Sequence, residues 1–227
     1  MDDQFDTNAK MAYRADCLRF LRKRGKLALF TPNGRLLGKW VELAGETGHL
    51  SLDMLTRENV LVGKQFVGVD SNRSHISKHR RSRPHATWIC DRLESALPNL
   101  NGVCVMNVDG YTGTGTDSSR ALLGAIHGVA RRSRGQFGSF GLLFNSSVTA
   151  ARRNRVLNPI EAHVHSICDI VSSWGCFASL DPRIILPELG EIVLPRSGEG
   201  RALSEYVYIY RGDDRNSVMV NVKLVLR

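Results

Sequence analysis

The sequence lacks the strings that mark several common enzyme classes. No G-x-x-x-x-G-K-[ST] string occurs, which removes the P-loop nucleotidases. No G-x-S-x-G elbow occurs, so Ser139 and the pair Ser146/Ser147 read as turn residues rather than nucleophiles. His49, His75, His79, His85, His127, His163 and His165 show no metal-ligand spacing. His75 and His79 are four apart, but no H-E-x-x-H or Cys pair completes a set, so no metal is expected. The cysteines, Cys17, Cys90, Cys104, Cys168 and Cys176, are odd in number and never spaced C-x-x-C, which reads as reduced, mostly buried thiols in an intracellular protein. No apolar run is long enough to cross a bilayer. The opening MDDQFDTNAK is acidic and polar, without the basic-then-apolar layout of a signal peptide, so an intracellular, cytoplasmic location is expected. Repeats and low-complexity segments are also missing.

What is present is a basic chain with an ordinary core. Its 227 residues, 42% hydrophobic and 23% charged, fit one sizeable domain. The formal charge of +9 is clustered. Arg14, Arg19, Arg22, Lys23, Arg24 and Lys26 face only Asp16. Arg73, Lys78, Arg80, Arg81 and Arg83 form a second group, and Arg131, Arg132, Arg134, Arg152, Arg153 and Arg155 a third, neither with an acid. Two readings stand: a DNA or RNA partner supplies the counter-charge, or the clusters are separately solvated faces.

The periodicity reads as α/β. Residues 1–8 are expected to be a loose tail. Met11–Leu27 has helical spacing, with Ala12, Cys17, Phe20 and Leu21 near one face and a basic outer face. Short apolar runs follow at Trp40–Leu43, Phe66–Asp70, Ala86–Asp91, Gly102–Asp109 and Ser139–Asn145. They are too apolar to alternate, as central parallel strands covered on both faces are. Ser51–Val60, the basic stretch after Asp70, a short piece after Asp91 and Ser118–Arg132 supply the crossovers. Asn158–Trp174 is a late amphipathic helix, residues 180–204 an irregular connection, and Glu205–Arg211 with Ser217–Leu226 an antiparallel hairpin around Gly212–Asn216. The fold expected is a Rossmann-like open sheet, mostly parallel, with helices on both faces and a C-terminal antiparallel hairpin.

The chain is organised around Trp40–Leu50, WVELAGETGHL. A strand ending in an acid feeds a small-residue turn and then a helix N-terminus, where unpaired N–H groups can meet an anionic or polar ligand. Gly45 and Gly48 are the candidates for a positive φ or a close backbone approach. This segment resembles motif I of the class I S-adenosylmethionine-dependent methyltransferases. It has Ala44, Glu46 and Gly48 where that family usually has glycines. A turn without a ligand is the competing reading, and a dinucleotide dehydrogenase is disfavoured because G-x-G-x-x-G is not supplied after the first strand.

The resemblance covers Leu36 to Arg227 and divides the chain into a tail and basic helix, 1–35, and a methyltransferase-like domain, 36–227. It implies S-adenosyl-L-methionine as cofactor, held by Glu42, Ala44, Gly45, Gly48, Asp70 on the ribose and Asp91 near the adenine. It implies Asn107, Asp109 and Tyr111 as the residues facing the methyl acceptor, without the proline pair common in base-amine methylating enzymes. Thr112–Thr116 is expected to be a polar loop able to close over substrate. Each acid also has the plainer reading of a residue capping a local turn. The function expected is methyl transfer on or near nucleic acid. The alternative is a methyltransferase-like domain that has lost activity and serves in nucleic-acid binding or assembly.

Overall fold

The structure, a computed structural model, describes residues 4–109, 117–149, 157–175, 195–196, 199–211 and 217–227. Among these, β1 (Lys39–Leu43), β2 (Phe66–Asp70), β3 (Thr87–Cys90), β4 (Val103–Asp109), β5 (Phe140–Thr149), β6 (Gly200–Ala202), β7 (Val207–Arg211) and β8 (Ser217–Leu226) form one sheet. Its order is β3-β2-β1-β4-β5-β8-β7-β6. The first five strands are parallel, and β8 is antiparallel to both β5 and β7. This is a Rossmann-like α/β fold, and the strand runs and terminal hairpin fall where the periodicity places them. The hairpin's turn, 212–216, lies outside the described residues.

Helices cover both faces. α4 (Leu93–Ala96), α5 (Asp117–Phe137) and α6 (Leu157–Ser173) pack on one side through Leu93, Ile126, Val129, Ile160, Val164 and Val171. On the other lie α1 (Gln4–Leu29), α2 (His49–Arg57) and α3 (Arg73–Ser82), with Tyr13, Leu21, Leu52, Leu55 and Ile76 against Trp40 and Leu143. β2 is buried at every position, which is why FVGVD reads as a continuous apolar run rather than an alternation. The crossover after β3 is only α4 and a 3₁₀ turn, Leu97–Asn99, because Pro98 stops it. No helix among the described residues is long and apolar enough to cross a membrane.

Four expectations are corrected. Ser146 and Ser147, read as turn residues, lie within β5 and stand opposite Val220 and Met219 of β8. Helix α1 begins at Gln4, so residues 4–8 are not a loose tail. Its buried stripe runs Ala9, Tyr13, Cys17, Leu21 at four-residue steps, which leaves Ala12 exposed. Residues 200–202, within the stretch read as irregular, pair with β7 as β6.

α1 is held by buried polar contacts as well as apolar ones. Tyr13 stacks on Tyr210 with ring centroids 5.3 Å apart. The Cys17 thiol donates to Asn221 Oδ1 at 3.2 Å, and burial pushes its pKa up. Lys223, 2% exposed, gives its ammonium to Asp16. Burial of a lysine is tolerated only with such a partner. Lys223→Ala should destabilise the fold by about 3 kcal/mol, the low end for a broken buried pair, since Arg19 still reaches Asp16 at 3.1 Å. Urea unfolding reads this directly, and an unchanged midpoint would show that the pair does not hold α1.

Candidate functional site

The strand order reverses between β1 and β4, so the crevice beyond the C-terminal ends of β1, β2 and β4 is the ligand position this fold offers. The turn from β1 to α2 stands there. Gly45 has φ +53, and a Cβ on Gly48 would lie 2.6 Å from the Ala44 backbone, so glycine is required at both positions for different reasons. Gly48 is the N-cap of α2 and offers no side-chain cap, while the Leu50 N–H of the first turn donates to the Thr47 carbonyl at 2.9 Å. Glu46 does not load the turn with charge at its centre: its carboxylate is exposed and lies 3.7 Å from Lys78.

Glu42 is fully buried. Trp40 Nε1–H donates to it at 3.1 Å and Ser51 Oγ–H at 2.8 Å, and Arg14 Nη2 lies 3.6 Å away. Arg14 Nε–H also donates to Ser51 at 2.7 Å. Glu42 thus ties β1, α2 and α1 together behind the turn.

Asp70 ends β2 with its side chain 12% exposed. Its Oδ1 accepts the Asn72 N–H at 2.8 Å, and its Oδ2 meets His75 Nδ1 at 2.8 Å. Asp91 is exposed beside it, linked through its own N–H to the Asp70 carbonyl at 3.1 Å and accepting from Arg92 N–H at 2.7 Å. Ala44 is buried, its N–H donating to the Val69 carbonyl at 2.9 Å.

On the acceptor side, Asn107 is 1% exposed and sits opposite Glu42 in the sheet register. Its Nδ2–H donates to the Tyr13 hydroxyl at 3.2 Å, and its Oδ1 has no partner among the described residues. Asp109 ends β4 opposite Asn145, whose Nδ2–H donates to Tyr210 Oη at 3.0 Å. Tyr111 and the 112–116 loop lie outside the described residues.

Many of the basic residues have partners within the chain. Arg22 reaches Glu58 at 3.1 Å, and Arg24 and Lys23 share Glu205. Arg83 makes a two-pronged pair with Asp53 at 2.7 Å, which holds that carboxyl below its usual range. Arg80 donates twice to the Trp88 carbonyl, and Arg132 donates to the Leu97 carbonyl at 3.1 Å. Arg73, Arg81 and Arg131 are exposed, and Arg134 is half-buried. Arg152, Arg153 and Arg155 fall outside the described residues.

Sequence reasoning missed Arg14, Ser51, Tyr13, His75 and His79. Arg14 was hidden inside a run taken for a basic outer face, although its place beside the Tyr13–Cys17 stripe was a signal. The histidines four apart were weighed only as metal ligands. Among the described residues no group of three His, Cys, Asp or Glu could hold a metal ion.

No protein-family model and no curated protein sequence matches the chain. Similar solved structures include the plantazolicin methyltransferase BamL in complex with a triazolic desmethylPZN analog and SAH, at 9% identity and TM-score 0.41 over 73% of this chain and 66% of that one. DesVI of Streptomyces venezuelae aligns at 16% identity and TM-score 0.38 over 63% and 58%, respectively. The CurJ carbon methyltransferase aligns at 12% and 0.46 over 92% and 53%. The chain therefore spans less than two thirds of each. At these identities and TM-scores the likeness does not extend to function, and what the site can do rests on its own geometry.

Two histidines give the fold a pH signature. Burial lowers the pKa of His163, which is bonded to Ser146. Burial and then the neighbouring His79 lower that of His49, at the start of α2. Both stay neutral in the fold where the unfolded chain takes up protons. Stability is therefore full above the unfolded value of about 6.5 and is lost as pH falls below it toward the folded values. The melting temperature should fall between about pH 7.5 and 5.5, and His163→Gln should flatten the profile. A profile unchanged by the substitution would remove His163 as a cause.

Proposed function

We propose that the chain is a class I-type S-adenosylmethionine-dependent methyltransferase acting on or near nucleic acid. The observation that carries this is the turn Ala44–Gly48, closed by a positive φ at Gly45 and a side-chain-free approach at Gly48, standing beside the Asp70 carboxylate at the switch point. The residues fit the cofactor. Each Asp70 oxygen keeps a lone pair beyond the bonds it already accepts, enough for two vicinal ribose hydroxyls. The N-terminus of α2, which has no side-chain cap, suits a carboxylate, and exposed Asp91 can accept from an adenine amino group. When bound, the cofactor supplies the activated methyl group. The chain's part is to bind, orient and exclude water, so no protein nucleophile is needed. The buried thiols agree: burial raises Cys104 to about 12 and Cys168 to about 11. Asn107, Asp109 and Tyr111 are the proposed acceptor-side residues.

One observation favours the second reading, a domain that keeps the fold without activity. Asn107 lies beneath Tyr13 of α1, where no acceptor reaches it in this conformation.

Asp70→Ala should weaken S-adenosylmethionine binding by about 2–4 kcal/mol, some 30- to 1000-fold, in calorimetric titration. The carboxylate also accepts from Asn72 and His75, so the unliganded protein should lose about 1 kcal/mol as well. Asp70→Asn keeps an oxygen for the Asn72 N–H and separates the two effects. Wild-type protein that binds neither S-adenosylmethionine nor its demethylated product at millimolar levels would overturn the cofactor reading.

The nucleic-acid acceptor is supported by the +9 charge and by the exposed Arg73, Arg81 and Arg131. Replacing Arg73 and Arg81, which share α3, with Ala should lower the salt dependence of DNA or RNA binding by about two units of slope. These positions avoid Arg80 and Arg83, whose loss would also cost Trp88 and Asp53 their partners. Filter binding at several salt concentrations checks it, and an unchanged slope would reduce these arginines to solvated surface.

A further inference from the structure

α3 has little to hold it by apolar packing. Of its ten residues only Ile76 and His79 are buried. Its place is set instead by polar contacts, and two of them end on the candidate cofactor site. One turn apart, His75 and His79 reach the two halves of that site from the same helix.

Their proton positions follow from the partners. The Gly45 carbonyl can only accept, so His79 Nε2, 3.0 Å away, carries a hydrogen and donates. His79 is 1% exposed and stacked on Trp88, centroids 4.4 Å apart and planes 18° from parallel, which fixes its ring. The proton on His75 is set by Asn72, the N-cap of α3. Asn72 Oδ1 accepts the Ser74 N–H at 2.9 Å, so its Nδ2–H faces His75 Nε2 at 3.3 Å. That nitrogen then accepts, and the ring hydrogen sits on Nδ1, donating to Asp70 Oδ2 at 2.8 Å.

We propose that His75 and His79 are positioning residues for cofactor binding, His75 by fixing the rotation of the Asp70 carboxylate and His79 by pinning the Gly45 carbonyl of the turn. This rests on the cofactor reading above. A carboxylate free to rotate presents its two lone pairs to vicinal hydroxyls only part of the time. Likewise, an unpinned Gly45 peptide can flip and turn its dipole toward the ligand. Neither histidine needs to touch the cofactor.

The test uses donor position. Asparagine places its N–H where His Nδ1 sits, and glutamine where His Nε2 sits. In calorimetric titration of S-adenosylhomocysteine into the full chain, His75→Ala and His79→Phe should each weaken binding about tenfold, the loss of one positioning hydrogen bond. His79→Phe keeps the stack on Trp88 and so spares the buried ring's packing. His75→Asn and His79→Gln should restore affinity to within about threefold of wild type, while His75→Gln and His79→Asn should not. A purely structural role would lower the melting temperature of the variants without this dependence on donor position, and would overturn the proposal. So would wild-type affinity in His75→Ala and His79→Phe. Wild-type protein that fails to bind at all would take down the cofactor reading itself and this inference with it.

Discussion

Glu42 is a carboxylate without solvent, and the way it is satisfied sets the arrangement around it. Burying an ionised group is costly unless a counter-charge and hydrogen bonds replace water. Here the counter-charge is Arg14 on α1, and the donors are Trp40 on β1 and Ser51 on α2. The elements that frame the turn cannot shift independently without exposing that charge. The polar seam continues across the sheet: Glu42 sits opposite Asn107, Asn107 bonds Tyr13, Tyr13 stacks on Tyr210, and Tyr210 bonds Asn145, which lies opposite Asn221. An apolar interface would allow α1 to slide by a turn. A row of directional partners does not, so the seam fixes which part of α1 covers the strand ends.

The same pairing logic changes what the charge means. Sequence windows show arginines without acids, but Glu58, Asp53 and Glu205 arrive from far along the chain to meet Arg22, Arg83 and Arg24. Such partly exposed pairs are each worth at most about 1 kcal/mol, so they are not what stabilises the fold. Their effect is on the field: charge that is neutralised locally is not available to attract a polyanion. Among the described residues, the unpaired basic surface is smaller than the clusters suggest, with Arg73 and Arg81 exposed on α3 and Arg131 on α5.

The strands were legible because a β-strand buried on both faces has no choice but to be apolar, and FVGVD or TWIC followed by an acid announces both the strand and its exit. The turn was legible because only glycine meets the demands at positions 45 and 48. What could not be read was long-range pairing. Nothing near Asn107 says that Tyr13, 94 positions earlier, will cover it. Nothing near Arg14 says that it faces a buried acid rather than water. β6 escaped because three residues, Gly-Arg-Ala, carry no periodicity. The four-residue spacing of the α3 histidines puts them on one face but does not name their partners, Asp70 and the Gly45 carbonyl, which come from other elements.

α3 joins these strands of argument. With Ile76 as its only buried apolar side chain, its docking depends on Asn72, His75, His79, Arg80 and Arg83. Two of those contacts end on Asp70 and Gly45, the groups proposed above to hold the cofactor. The helix therefore gains stability from the site, and the site gains order from the helix. A ligand that tightens Asp70 and the turn also tightens α3, so binding and local folding draw on one free energy. Without the ligand, α3 is the element among the six described helices whose apolar anchoring is least able to replace a lost polar contact, and local opening is expected to begin there.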